Sequence, residues 1–231
     1  MLKDLDNGEW HLLNDFNIID PTKKGTLILS YFRSGTHFLH DVIGTNCAKA
    51  TVTHYEICND DTIQQLVAIT DQDDTNYHVC ILNNTVAKFY LRKANRLLSK
   101  WHTIRLTRNN KIGHFISYWF WELNTLEQRC NNTGRFLHNS TPANRYKKYL
   151  QEGPVEVDIN VVAAWLQEQL ILELINTDVE IDYDDLAKFS NVNIEWSPNH
   201  YGDINLSDMF VNHAQVEDLL SSAKPSKINP C

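Results

Sequence analysis

Short apolar runs alternate with longer amphipathic stretches over the first 190 or so residues. Thr26, Leu27, Ile28 and Leu29 make a compact buried-type run that predicts a strand over Gly25–Tyr31, entered from Lys23-Lys24-Gly25. The chain then passes Ser34-Gly35-Thr36 into a helix. Phe38, Leu39, Val42 and Ile43 recur on one helical face, and Gly44 marks its expected stop. Further strand-like runs fall at Thr51–Tyr55, Tyr77–Leu82, Thr103–Thr107 and Val179–Tyr183. Helical periodicity fills the intervals, at Lys88–Lys100, at Asp158–Ile175 and most clearly at Asn110–Leu126. In the last of these Ile112, Phe115, Ile116, Trp119, Phe120 and Leu123 form one apolar stripe. Strands alternating with helices predict an α/β fold: a mainly parallel sheet of about four or five strands with helices on both faces.

The 231 residues are read as a single domain, 1–231, with a polar excursion over about 124–157 that carries a short helix near Ala143–Leu150. A net charge of −8 argues against a nucleic-acid partner, which calls for a basic excess or stripe. No run approaches the roughly 18–20 apolar residues of a membrane span, and Met1–Asp6 is too polar for a signal-peptide core. The five cysteines are widely spaced and include no C-x-x-C, which predicts free thiols in a reducing compartment and hence a cytoplasmic protein. Without a secretion signal, the glycosylation patterns at Asn83 and Asn131 carry little weight. Ten histidines form no H-E-x-x-H or tight cluster, so no metal site is expected.

The candidate chemistry begins at Ser30-Tyr31-Phe32-Arg33-Ser34-Gly35-Thr36-His37, between a buried strand and a helix start. A helix start leaves N–H groups unpaired and carries positive dipole charge, which suits an anion. Gly35 lets the backbone curl so that successive amides face one phosphate. Ser34 and Thr36 add hydroxyls, and Arg33 adds a charged fork of donors. The lysine and spacing of G-x-x-x-x-G-K-[ST] are absent, which weighs against an ordinary ATPase or GTPase.

A second segment, Ile104-Arg105-Leu106-Thr107-Arg108-Asn109-Asn110, reads as a strand and turn before the strongest helix, with Ser117 off that helix's apolar stripe. Arg108 at the strand end and Ser117 on the helix are candidates to grip one phosphate. Arg105 reads as a sheet-edge or salt-bridging residue. Thr53-His54-Tyr55-Glu56 ends the second strand, and ligands of open parallel sheets sit off the carboxyl ends of strands. Glu56 and His54 are therefore candidate general bases, against the structural alternative of a helix cap and a strand histidine.

Arg33-Ser34-Gly35-Thr36 resembles the 5′-phosphosulfate loop of the PAPS-dependent sulfotransferases, which reads T-Y-P-K-S-G-T-T-W in cytosolic members and P-R-S-G-T in many bacterial ones. Phe32 stands where proline is usual, and His37 where a second Thr or Ser is usual. The nine-residue step from Arg108 to Ser117 resembles the 3′-phosphate segment of the bacterial trehalose-type enzymes. Those enzymes also carry a glutamate after the second strand, which ranks Glu56 ahead of His54; other branches use a histidine. Ile181-Asp182-Tyr183-Asp184-Asp185-Leu186 resembles the family's Y-E-D-L segment and reads as a strand followed by a capped helix.

The resemblance implies a P-loop-like sulfotransferase architecture and sulfuryl transfer from PAPS, without a metal, to a hydroxyl of a carbohydrate or other small acceptor. In it Arg33 and Ser34, Gly35, Thr36 and His37 would hold the phosphosulfate, with Arg33 also catalytic in stabilising its charge; Arg108 and Ser117 would hold the 3′ phosphate, and Glu56 or His54 would take the acceptor proton. The rivals are a P-loop kinase and a non-catalytic module that binds an anion or glycan.

Overall fold

A computed structural model describes residues 17–46, 50–57, 60–72, 76–83, 98–120, 153–173, 175–190 and 204–222. The chain forms two compact units, each built from two separate stretches of sequence. The first comprises Met1–Asn109 and Gln169–Trp196; the second comprises Asn110–Glu168 and Ser197–Cys231.

The first unit holds a five-stranded sheet. Its strands are β1 (Gly25–Ser30), β2 (Ala50–Ile57), β3 (Tyr77–Asn83), β4 (His102–Thr107) and β5 (Val179–Asp182), in the order β2-β3-β1-β4-β5. All four pairings are parallel. The strands lie where the apolar runs predicted them, within a residue or two at each end. All six residues of β1 are buried, as a central strand covered on both faces requires. Gly25 opens it because a Cβ there would collide with the His78 backbone on β3.

Helix α1 (Thr36–Asn46) links β1 to β2, and α2 (Asp60–Asp71) links β2 to β3. The first connection moves two places across the sheet in one direction and the second moves one place back. Right-handed crossovers then put these helices on opposite faces. On one face Leu39, Val42 and Ile43 of α1 pack with Ile28, Val79, Ile81, Ile104, Leu106 and Ile181. Gly44 does not stop α1, which runs two residues further. A lone glycine costs a helix only about 1 kcal/mol, little against the buried Leu39, Val42 and Ile43 face.

The opposite face of β4 carries polar side chains with specific partners. Arg105 donates to the carbonyls of Leu172 (3.0 Å) and Ile175 (2.9 Å) and pairs with Glu180. It is thus a salt-bridging residue on an interior strand, where it ties up carbonyls at the end of α4 (Ile159–Glu173). Thr103 gives its N–H (2.7 Å) and its hydroxyl (2.8 Å) to Asp178. Burial pushes the Asp178 carboxyl up, but the two Thr103 bonds with the charges of His102 and Lys23 hold it below its ordinary value. Its contribution to stability is therefore complete above the unfolded-state carboxylate pKa and is lost as pH falls through the lower folded value. Asp178→Asn should flatten the loss of stability below about pH 4, read as denaturant midpoints across an acid series. A wild-type-like acid slope in the variant would show that other carboxylates carry it.

In the second unit residues 111–120 form α3, capped by Asn110, whose side-chain oxygen accepts from Gly113 N–H at 2.8 Å. The stripe predicted for this helix is aromatic at its centre: Phe115 lies 5.2 Å from Trp165 and 6.0 Å from Phe210, ring centre to ring centre. Trp119 meets the Phe210 ring edge-on at 5.3 Å. Tyr118 lies 6.0 Å from Trp165, so it belongs to this cluster. Val155 bridges to Phe210, and Asn212 exchanges two bonds with the Val157 backbone. The last residues of the polar excursion are therefore paired, and Val157 is buried. Its earlier part, including Ala143–Leu150, lies outside the described residues, as does the helix expected from Lys88 as far as Leu97. Among the described residues this unit also holds two short helices, α5 (Leu206–Met209) and α6 (His213–Ser222). No helix among the described residues is long and apolar enough to cross a membrane.

Candidate anion-binding site

The strand order fixes where a ligand would sit. The chain leaves β1 toward β2 on one side of the sheet and leaves β4 toward β5 on the other. Neighbouring strands whose connections diverge leave a crevice at their carboxyl ends, the usual ligand position in an open parallel sheet. The two loops that open this crevice are Tyr31–Gly35 after β1 and Arg108-Asn109 after β4, the two segments marked by sequence as phosphate-binding candidates.

The first loop has an uncommon backbone. Arg33 has φ 67° and Gly35 φ 83°, while Ser34 between them keeps an ordinary negative φ. Alternation of φ sign over successive residues is the backbone pattern by which N–H groups can be turned toward one side as a concavity for an anion. α1 starts immediately afterwards at Thr36, so its first-turn amides have no carbonyl one turn earlier to bond. Among the described residues, no hydrogen bond reaches the N–H of Gly35 or Thr36. Glycine adopts φ 83° without penalty, whereas an arginine at φ 67° costs on the order of 1–2 kcal/mol. The side chains of Ser34 and Thr36 are buried, Arg33 is half-buried and His37 is exposed.

Arg108 closes the other side. Its Nη1 donates to the Arg33 carbonyl oxygen at 3.2 Å, and its guanidinium lies 4.0 Å from the centre of the Tyr183 ring. Only 5% of Arg108 is exposed, and among the described residues its Nε has no hydrogen-bond partner. Burial lowers the Arg108 pKa most strongly; Tyr183 and Asp184 oppose that shift, Arg33 adds to it, and Asp182 opposes it. Arginine remains charged in proteins. Arg108 is thus buried, feels the like charge of Arg33, and keeps its Nε without a partner among the described residues. An anion beside Arg108 would offset both costs.

The structure brings Arg33, Ser34, Gly35, Thr36 and Arg108 together. The helix stretch with His37 follows directly. Ser117 is buried on α3 in the second unit. His54 and Glu56 lie on β2, the edge strand beyond β3. Glu56 pairs with Ile81, which pairs with Ile28, so its backbone is two rungs short of Ser30 and, at about 4.8 Å per strand, roughly 10 Å to the side of β1. His54 falls where the β2–β3 register shifts, between Val52 and Glu56.

Sequence reasoning passed over Asp182 and Tyr183 as site residues. Their signal was present in the strand-end Asp182-Tyr183-Asp184, but only the placement of β5 beside β4 sets them against Arg108. No protein-family model matches the chain, and no curated protein or solved structure matches it.

Proposed function

We propose that the crevice between β1 and β4 binds a phosphorylated nucleotide carrying a sulfuryl group, and that the protein is a PAPS-dependent sulfotransferase. The observation that carries the anion-binding part is the meeting of two features at one switch point. One is a loop with φ of alternating sign through Arg33-Ser34-Gly35, and the other is a buried Arg108 that donates to that loop's carbonyl. The sulfuryl part rests on the likeness of Arg33-Ser34-Gly35-Thr36 to the phosphosulfate loop. Sulfuryl transfer, like phosphoryl transfer, needs positioning and charge stabilisation more than covalent help. The Gly35 and Thr36 amides with Arg33 would hold the phosphosulfate and take up charge on the bridging oxygen as the S–O bond breaks. Arg108 would hold the second phosphate. Glu56, or His54 after it, would accept the acceptor hydroxyl's proton on the strength of the sequence resemblance; the acceptor is a carbohydrate or other small hydroxyl compound.

Calorimetric titration of the full chain tests the nucleotide half. Adenosine 3′,5′-bisphosphate should bind, and ATP with magnesium should not; the reverse order would move the reading to a kinase. Transfer of labelled sulfate from PAPS to a panel of hydroxyl acceptors tests the chemistry. A second reading, a module that binds the anion without turnover, is favoured by the register of β2, which holds the Glu56 backbone short of and beside the crevice. Binding of the bisphosphate with no transfer to any acceptor would select it.

A further inference from the structure

Asp182 is the last residue of β5, and its register partner on β4 is Thr107, one residue before Arg108. Its two carboxylate oxygens go to two different places. Oδ1 accepts the N–H of Asp184 at 3.0 Å and caps the 3₁₀ helix Tyr183–Phe189. Oδ2 accepts the N–H of Asn109 at 2.9 Å, the amide that directly follows Arg108. The same short segment therefore fixes Arg108 twice. Asp182 pins the backbone just past it, and the next residue, Tyr183, lays its ring under the guanidinium.

We infer that Asp182 is a positioning residue for the anion site: it holds the β4 turn and the Tyr183 shelf in one geometry, so that Arg108 stands ready beside the Arg33 loop. The inference rests on the anion-binding reading above and extends it to a residue that touches no ligand. Its content is a sign. Taken as a charge alone, Asp182 repels an anion held by Arg108, and neutralising it would tighten binding. Taken as a clamp, it adds more by preorganisation than it costs by repulsion, and neutralising it loosens binding.

The experiment is titration of adenosine 3′,5′-bisphosphate into the full chain, with the wild type, Asp182→Asn and Asp182→Ala. Asp182→Asn keeps an oxygen for one of the two amides and guards against a simple failure to fold. Each variant is also combined with Arg108→Ala. The expected result is binding by wild type, about tenfold weaker binding by Asp182→Ala, the loss of roughly one charge-assisted hydrogen bond, and an intermediate value for Asp182→Asn. In the Arg108→Ala background the Asp182 substitutions should have no further effect, because the clamp acts through Arg108. Equal losses in both backgrounds would mark a general structural effect and overturn the inference. Unchanged or tighter binding by Asp182→Asn would overturn it too, while leaving the anion site standing. Absence of binding by the wild type would remove the site itself and the inference with it.

Discussion

Replacing Arg108 by alanine should weaken binding of adenosine 3′,5′-bisphosphate on the order of 10²-fold or more. Hydrogen bonds to a charged group contribute about 1.5–3 kcal/mol each, and a guanidinium offers a phosphate two in parallel. The loss of both therefore amounts to at least two decades of affinity. Burial magnifies the effect, since a cation at 5% exposure is poorly screened by water and salt. Arg108→Lys should recover only part of the loss: it keeps the charge but neither the fork nor the stacking on Tyr183. Folding should survive the alanine change. The guanidinium is held against burial and against the like charge of Arg33, so its removal relieves those costs while giving up the bond to the Arg33 carbonyl and the contact with the Tyr183 ring. Calorimetry gives the affinities, and a single cooperative melt in Arg108→Ala separates lost binding from lost structure. Wild-type affinity in Arg108→Ala would place the anion elsewhere.

The sheet was legible in the residues because buried parallel strands are written as short apolar runs. Ile28, Val79, Ile104 and Ile181 each lie inside such a run, and each is found in the core that packs on α1. The phosphate loop was legible for a similar reason: Gly35 between a strand and a helix start carries a backbone requirement that few residues meet. What could not be read was order across the sheet. Nothing in the letters of Ala50–Ile57 says that this strand lies at the edge beyond β3, so Glu56 and His54 were expected nearer the transferred group than the register puts their backbone. The same lack of lateral information hid Asp182 and Tyr183, which become neighbours of Arg108 only because β5 pairs with β4. Arg105 could be assigned a salt bridge by its residue type. Its two carbonyl partners, Leu172 and Ile175, depend on a chain return some 70 residues later.

Gly35 is the position where backbone and function are hardest to separate, and Gly35→Val should show both effects at once. At φ 83° a β-branched side chain is an outlier, and holding it there costs about 1–3 kcal/mol. The loop can escape that cost only by leaving the left-handed region. Doing so ends the alternation with Arg33 and turns the Gly35 and Thr36 amides away from a common centre. Gly35→Val should therefore melt at a lower temperature than the wild type and lose bisphosphate binding on the order of 10²-fold, as a site stripped of several preorganised donors would. Arg33→Gly supplies the contrast. It accepts φ 67° without strain, so the amide concavity stays and the protein should be at least as stable as the wild type, while the Arg33 charge is gone. Binding should then fall although stability does not, which assigns the loss to the guanidinium alone. If Gly35→Val keeps wild-type affinity despite its lower melting point, the curled backbone is a turn between strand and helix and not the seat of the anion.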